Sequence, residues 1–110
     1  MVMYADDEIS RVFRALADPT RRDILRMLAG DGRSVQELTS GFSISQPAIT
    51  KHLNVLDGAG LVSRRKDGRF RRCALKPGSL NQAQEWIDQV KGFWEERMFA
   101  LEELLYSEME

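Results

Sequence analysis

The sequence predicts a mainly α-helical fold, about five helices with one small β-hairpin, in a single domain of 110 residues. Apolar residues recur every three to four positions over most of the chain, which is the spacing of a helix face. Three polar residues stand where helix N-caps are expected, each followed within three positions by proline or glutamate. An Asp67-Gly68 pair between two short extended runs is the signal of a tight hairpin.

The first two helices follow each other closely. Residues 8–17 form one helical face with Ile9, Val12, Phe13 and Leu16. Asp18 then supplies an N-cap, and Pro19 takes the first helical position, where its missing N–H costs no hydrogen bond. The second helix runs to about residue 29, and the glycines of residues 30–32 end it.

The next two helices are short and lie close together in the sequence. Ser34 and Glu37 form a capping box that begins the third helix, and Gly41 ends it. Ser45 caps the fourth helix, with Pro47 in its first turn. A short helix, a turn and a second helix with polar outward residues are typical of a helix-turn-helix.

A predicted hairpin follows the fourth helix. Two extended runs, residues 61–65 and 69–75, flank a turn at residues 66–68, where glycine accepts the positive φ of a primed turn. A hairpin directly after a helix-turn-helix is a wing, here residues 61–76. The winged helix-turn-helix core then spans residues 8–78.

A long last helix is predicted over residues 80–106, which contain no proline. At 1.5 Å per residue it spans roughly 40 Å, more than so small a domain needs for its own core. Its apolar stripe is expected to meet a second copy of the chain, and the alternative is that it folds back on its own domain. The stripe includes Ile87, Val90, Trp94, Met98, Leu101 and Leu105.

The formal net charge of −1 conceals a strong asymmetry along the chain. Residues 45–76 hold eight lysines and arginines against two aspartates, whereas residues 77–110 hold two basic residues against eight acidic ones. Because salt screens charges within about 8–10 Å, a nucleic acid would meet mainly the basic middle of the chain. Six of these basic residues lie within residues 64–72, which argues against charge scattered only for solubility.

The fourth helix combines one apolar face with side chains that can meet base edges and phosphates. Ile49, Leu53 and Leu56 share the apolar face. Such a helix fits the major groove of DNA, so the chain is predicted to bind double-stranded DNA with sequence preference. The polar side chains between the apolar ones are Gln46, Thr50, Lys51, His52 and Asn54.

The residues that catalysis and metal binding use most are scarce, because the chain has one histidine, His52, and one cysteine, Cys73. They cannot assemble most catalytic constellations or a closed four-ligand metal site, so neither an enzyme, a cofactor nor a metal is expected. A redox switch at Cys73 would need an exposed thiol with a lowered pKa. The lone cysteine, the acidic N-terminus and the lack of a bilayer-length apolar run predict a cytoplasmic protein without a membrane partner.

Three segments in register resemble the ArsR-type family of winged helix-turn-helix repressors, and the resemblance covers nearly the whole chain. They are ALADPTRRDIL at residues 15–25, ISQPAITKHL at residues 44–53 and FWEERM at residues 93–98. The resemblance implies a homodimer that binds an inverted-repeat operator and blocks transcription. The first and last helices would join the two copies, through Ile9, Val12, Phe13, Ile87, Val90, Trp94, Met98, Leu101 and Leu105.

The resemblance is to a subgroup without metal sites. Many members of the family sense metals through cysteines in the helix before the turn, or through Asp/His clusters in the last helix. Residues 37–42 contain no sulfur, and residues 80–106 contain no histidine. We therefore expect no response to transition metals.

Carried over position by position, the resemblance assigns roles along the recognition helix. Ser45, Gln46 and Pro47 lie at its N-terminal end, where N–H groups favour phosphate, and a cap alone is the alternative for Ser45. Gln46 can pair with adenine and Lys51 with guanine or only with phosphate, and His52 can donate to phosphate. Ala48 and Thr50 can contact a thymine methyl or a sugar, and Asn54 turns towards the DNA backbone or solvent.

In the wing, Lys66 and Arg69 flank the predicted turn and can reach the adjacent minor groove or its phosphates. The two strands carry four arginines, Arg64, Arg65, Arg71 and Arg72, which alternate between the faces of the hairpin. About half of them are therefore expected to face DNA, Arg64 and Arg71 among these. Arg21 and Arg22 can touch the DNA backbone or pair with Asp18 or Asp23. The predicted DNA-binding residues are Ser45, Gln46, Pro47, Ala48, Thr50, Lys51, His52, Asn54, Arg64, Lys66, Arg69 and Arg71.

Two alternatives stay open from the sequence. The chain could be a protein-interaction module that binds through its acidic, aromatic last helix, although such a module does not need a basic wing. It could also be a repressor with a small apolar effector at the dimer interface. Trp86, Phe93 and Trp94 would line that pocket together with the first helix.

Overall fold

A computed structural model describes residues 7–109. These residues form five helices and three short strands, which confirms the predicted fold class. They divide into two compact units, one ending at Leu80 and the other beginning at Asn81. The elements are α1 (Glu8–Leu16), α2 (Pro19–Met27), β1 (Arg33–Ser34), α3 (Val35–Ser40), α4 (Gln46–Gly58), β2 (Val62–Asp67), β3 (Phe70–Leu75) and α5 (Asn81–Met109).

Side-chain caps begin α2, α3 and α4 as the sequence predicts. The Asp18 carboxylate accepts a hydrogen bond from the backbone N–H of Arg21 at 3.1 Å. Ser34 and Glu37 form both bonds of the capping box, each at 3.1 Å. Ser45 accepts from the backbone N–H of Ala48 at 3.3 Å. These bonds satisfy N–H groups that the first turn of a helix leaves without a partner, and so they fix where α2, α3 and α4 begin.

The hairpin turn lies one residue later than the sequence predicts. Asp67 pairs with Phe70, so the two central residues are Gly68 and Arg69. Gly68 has a φ of +62°, and no described residue other than glycine has a positive φ, which is the pattern of a type II′ turn. This turn needs positive φ only at glycine, whereas a type I′ turn centred on Asp67-Gly68 would force it on the aspartate as well. Lys66 consequently lies within β2, opposite Arg71.

A third strand, β1, joins the hairpin, and the sequence did not predict it. Its residues Arg33 and Ser34 pair with Cys73 and Arg72 of β3, so the strand order is β1-β3-β2. Two residues are too short to produce an alternating pattern in the sequence. Because Ser34 is also the N-cap of α3, β1 connects the start of the helix-turn-helix directly to the wing.

The core of the first unit draws on its helices and on the sheet. Each large apolar side chain buried there contributes about 1.5–3 kcal/mol relative to exposure. Val12 of α1, predicted at the dimer interface, belongs to this core with 5% of its surface exposed, which leaves little of it for a second copy. The largest fully buried side chains are Ile24, Leu28, Leu38, Ile49, Leu53, Leu56, Leu61, Val62 and Cys73.

The second unit is the single helix α5, which has 29 residues and extends three residues beyond the predicted end at residue 106. At 1.5 Å per residue it is roughly 43 Å long. Among the helices of residues 7–109, none combines the length and the apolar character that spanning a bilayer requires. Many apolar side chains of α5 are exposed, including Trp86, Ile87, Phe93, Trp94, Met98, Phe99, Leu101, Leu104, Leu105, Tyr106 and Met109.

Candidate nucleic-acid interface

Helix α4 presents one continuous exposed side. Ile49, Leu53 and Leu56 are fully buried and fix the opposite side in the core. At 100° per residue, positions 47, 51, 54 and 58 fall on the outward side, with Lys51 near its centre. Ala48 and Thr50 lie at its edges and are half-buried. The exposed residues of α4 are Gln46, Pro47, Lys51, Asn54, Val55 and Gly58.

Val55 belongs to this exposed side and was missed by the sequence analysis. Its side chain is 42% exposed and follows Lys51 by one helical turn. The signal was present in the sequence, because a residue four positions after Lys51 must share its side of the helix. The sequence analysis assigned Val55 no role, and it is the neighbouring Leu56 that is buried in the core.

His52 points to the flank of α4 rather than along the exposed side. Its Nδ1 lies 3.4 Å from Nη1 of Arg21 and 3.9 Å from Oδ2 of Asp18. The backbone N–H of Arg21 lowers the pKa of Asp18 by hydrogen bonding to the charged carboxylate. His52 therefore contacts the start of α2, and its Nε2 is the ring nitrogen left for the phosphate contact that the sequence predicts.

The two arginines at the start of α2 bind the end of α1. Arg21 donates from Nε to the carbonyl of Ala15 and from Nη2 to the carbonyl of Arg14, both at 2.8 Å. Arg22 donates from Nη1 to the carbonyl of Leu16 at 2.8 Å. Neither of the two expected roles describes these bonds, because both guanidinium groups bind backbone carbonyls in the last turn of α1. Asp23 pairs with Arg26 of its own helix at 2.6 Å.

The wing sets like charges directly opposite each other. Lys66 pairs with Arg71 on one face of the hairpin, and Arg65 pairs with Arg72 on the other. Facing like charges destabilise an isolated hairpin. The face of Lys66 and Arg71 also carries the buried Cys73, so it is the face directed towards the core and α4.

Arg64 is held against α4 instead of being free to reach DNA. Its Nε and Nη2 donate to Oδ2 of Asp57 at 3.0 and 2.9 Å. Its Nη1 donates to Oδ1 of Asn54 at 2.8 Å. The guanidinium thus connects β2 of the wing with the C-terminal half of the recognition helix, which differs from the DNA contact predicted for it.

Grooves lined by basic residues lie on both sides of the exposed face of α4. One, with a volume of about 290 Å³, separates α4 from the wing. It brings Gln46 and Thr50 together with Arg69 and Arg71. The other, of about 590 Å³, is lined by Val55 and Gly58 of α4 together with Arg11, Arg14 and Arg21. A rod-shaped polyanion lying along α4 would meet positive charge on either side.

Cys73 does not meet the conditions for a redox switch. It is fully buried in β3, and burial raises the pKa of its thiol, which disfavours the reactive thiolate. Among residues 7–109, no three side chains of His, Cys, Asp or Glu come together in a group that could hold a metal ion. Insensitivity to metals remains a prediction.

A helix-turn-helix whose second helix exposes polar residues beside a basic wing defines a DNA-binding regulator. Comparisons with known proteins agree. A family model described as a helix-turn-helix domain matches residues 16–65. The transcriptional repressor SdpR of Bacillus subtilis is 35% identical over 79 residues, which cover 72% of this chain and 88% of that protein. The HTH-type transcriptional regulator Rv2034 of Mycobacterium tuberculosis is 37% identical over 98 residues, 89% of either chain.

The structural comparison leads to the same family. An ArsR-like transcriptional regulator from Rhodococcus sp. RHA1 superposes with a TM-score of 0.81 at 34% identity, covering 91% of this chain and 92% of that one. The chain belongs to the ArsR family of winged helix-turn-helix transcriptional regulators. It is a regulator and not an enzyme, as the sequence predicts.

Proposed function

We propose that the protein is a dimeric repressor that reads an inverted-repeat operator with one α4 helix in each of two successive major grooves. The observation that supports this most directly is the exposed side of α4, centred on Lys51 and bordered by basic grooves. A helix held by one side in a core and polar on the other matches the width of the major groove. The relative SdpR is named a transcriptional repressor, which favours repression.

Base reading is proposed for two exposed residues in the first half of α4. Lys51 would donate to guanine and Gln46 would pair with adenine. Ser45 and Pro47 mark the helix start, where backbone N–H groups favour a phosphate. Ala48 and Thr50 would meet a thymine methyl or a sugar at the edges of the contact.

The wing is proposed to bind the DNA backbone. Phosphates would neutralise the facing charges of Lys66 and Arg71, and Arg69 sits at the tip of the turn beside them. A contact that relieves repulsion within the hairpin strengthens binding to any sequence, so it would increase affinity more than specificity.

A second copy of the chain is proposed to cover the exposed apolar stripe of α5. Trp94 is 69% exposed in the single chain, Met98 is 56% exposed and Leu101 is 52% exposed. Exposed apolar surface of this kind marks a protein interface. A two-fold symmetric dimer reads a symmetric site, which is the reason for expecting an inverted repeat.

Two further properties belong to this proposal. A regulator of transcription acts where the DNA is, so the cytoplasm is its expected compartment. Transition metals are not expected to control it, and adding Zn²⁺ or Co²⁺ should leave the affinity for DNA unchanged. A fall in affinity with either of them would contradict this part of the proposal.

Selection of binding sites from random duplex DNA tests the main proposal. The enriched sequences should form an inverted repeat with half-sites about one helical turn apart, 10–10.5 base pairs. A matched selection with Lys51→Ala separates base reading from backbone binding. If the wild-type protein enriches no sequence at low or moderate salt, DNA reading is excluded, and the acidic α5 becomes the surface to examine for protein partners.

A further inference from the structure

We propose that Arg64 is a positioning residue that orients the side-chain amide of Asn54, so that Asn54 reads guanine and not adenine. This inference rests on the proposed function and specifies one base contact within it. It replaces two expectations from the sequence, a DNA contact for Arg64 and a backbone or solvent role for Asn54.

The hydrogen bonds of Arg64 determine which end of the Asn54 amide faces it. Nη1 donates to Oδ1 of Asn54 at 2.8 Å. A guanidinium group has only donors, so it can bind the amide oxygen but not the amide NH₂. Turning the amide over would set two donors against each other and lose a charge-assisted hydrogen bond.

Arg64 is itself held in place. Two of its N–H groups converge on Oδ2 of Asp57, at 3.0 and 2.9 Å, and its side chain is only 18% exposed. Its strand position is opposite Cys73, which is fully buried. Asn54 precedes Asp57 by three residues on α4, so one guanidinium group spans adjacent positions on the same helix.

Asn54 then presents donors to the DNA. The residue is exposed on the outward side of α4, and its oxygen is occupied by Arg64. An unconstrained asparagine pairs with adenine by accepting from N6 and donating to N7. With the oxygen engaged, the outward group is the NH₂, which offers two donors and no acceptor.

Guanine is the base whose major-groove edge fits this arrangement. It carries two acceptors side by side, N7 and O6. Adenine offers one acceptor and one donor, and its donor would lack a partner. The selected operator should therefore contain, in each half-site, one guanine whose recognition depends on Asn54 and on its orientation by Arg64.

The first test replaces the outward donor group with an acceptor and adds one negative charge. Asn54→Asp keeps an oxygen for Arg64 but replaces the NH₂ with a second acceptor. Selection with this variant should lose guanine at one position of each half-site and favour cytosine, whose N4 is a donor, by about tenfold in relative affinity. The preferences at the other positions should stay as in the wild type. Retention of guanine by Asn54→Asp would overturn the inference.

The second test removes the orienting group. Arg64→Leu should admit adenine beside guanine at that same position and leave the remaining consensus intact, because the freed amide can turn over. Arg65→Leu is the matched control, since Arg65 is exposed on the other face of the same strand. The control removes one positive charge and should retain guanine. An unchanged base preference in Arg64→Leu would also overturn the inference.

A test on the DNA does not depend on the folding of an Arg64 variant. Replacing the critical guanine by 7-deazaguanine removes the N7 acceptor and should weaken wild-type binding about fivefold or more. The same replacement should leave the affinity of Asn54→Ala nearly unchanged, because that variant lacks the donor. An equal loss for both proteins contradicts the assignment to Asn54. If the selection enriches no sequence, the proposed function itself is refuted. If a site is enriched but its binding does not respond to these changes, only the inference about Asn54 and Arg64 is refuted.

Discussion

Single side chains of α4 and the wing divide the work of DNA binding between base reading and attraction to phosphate. Lys51 and Gln46 are exposed on the recognition helix, where base edges come within reach. Lys66 and Arg69 lie on the wing, on a separate element. Because phosphates are the same at every base pair, contacts from the wing carry no direct sequence information.

The double variant Gln46→Ala, Lys51→Ala should lose operator preference while keeping weak, salt-sensitive binding. Each base contact that is lost should cost about 1–3 kcal/mol of discrimination. The measurement is the ratio of affinities for operator and random DNA at several salt concentrations. If this variant kept the wild-type ratio, α4 would not be the reading helix.

The wing provides the matched contrast. Neutralising Lys66 and Arg69 with alanine should weaken binding to operator and random DNA alike. It should also reduce the slope of log affinity against log salt by roughly one unit per lost phosphate contact. A change in operator preference in this variant, with an unchanged slope, would reverse the assigned roles.

Gly68 supports the turn of the wing through its backbone alone. Its φ is +62°, and a Cβ added there would meet nothing within 4 Å. Gly68→Ala should therefore lower the free energy of unfolding by about 1–2 kcal/mol through backbone strain without any clash. Chemical denaturation measures this directly.

Gly58→Ala is the control for that variant. A Cβ at Gly58 also meets open space, but the residue lies in α4 and its φ is not positive. Alanine should be neutral there or stabilise by up to about 1 kcal/mol. Equal losses in the two variants would mean that the positive φ of Gly68 is not the cause.

Side-chain pairing limits what the sequence could predict about individual site residues. The exposure of Lys51 follows from helical periodicity, and it was predicted. The partners of His52 and Arg64 lie 31 and 7 positions away along the chain, on other elements. Periodicity within one helix or strand carries no information about partners on other elements. His52 and Arg64 were therefore both assigned to DNA without regard to the neighbours that hold them.

Among the elements, α3 depends on its capping box and therefore on pH. The Glu37 carboxylate accepts a hydrogen bond from the backbone N–H of Ser34, which lowers its pKa below the ordinary value of 4.5. A lowered pKa in the folded state adds stability above the unfolded-state value, and that stability is lost as the pH falls through the folded value. Wild-type protein should therefore lose stability relative to Glu37→Gln as the pH falls below about 4.5, in urea denaturation at a series of pH values.

Ser34→Ala removes the hydrogen bond of the capping box that does not titrate and keeps the one that does. It removes the hydroxyl that accepts from the Glu37 N–H and should cost about 1 kcal/mol at neutral pH. The Glu37 carboxylate keeps its bond to the backbone N–H of residue 34, so the stability of this variant should still fall on acidification. A wild-type protein whose stability tracks that of Glu37→Gln at every pH would show that ionisation of Glu37 adds nothing to the capping bond.

Local signals account for most of the elements, and pairing between distant segments accounts for what was missed. N-caps and apolar periodicity predicted α1 to α5 to within about three residues at either end. The strand β1 exists only because β3 lies beside it, about 40 residues further along the chain. The hairpin turn lies one residue later than predicted because Asp67 pairs with Phe70 of β3. This pairing sets Gly68 at the first central position of the turn, where a positive φ is required.

At the scale of the whole molecule, the exposed stripe of α5 predicts the oligomeric state. Trp94→Glu combined with Leu101→Glu should convert a dimer into a monomer, because both side chains are more than half exposed in the single chain and lie on the same side of the helix. Sedimentation equilibrium measures the conversion. Affinity for a full operator should fall at least about tenfold, since the two half-sites would no longer be bound together.

Glu96→Lys is the matched control on the same helix. Glu96 lies about 200° around α5 from Trp94, on the polar side. This variant should remain a dimer with nearly unchanged affinity. If the double glutamate variant stayed dimeric at micromolar concentration, α5 would not form the interface.

The two-residue strand β1 has a mechanical consequence. The backbone that ends at the N-cap of α3 is hydrogen-bonded to the middle strand of the wing, and Arg64 ties the other wing strand to α4. The helix-turn-helix and the wing therefore approach DNA as one preformed surface, with little freedom left to lose on contact. Such preorganisation favours affinity. It also means that a site whose groove and backbone do not match this spacing must bend to fit, so the stiffness of the DNA itself becomes part of what the protein selects.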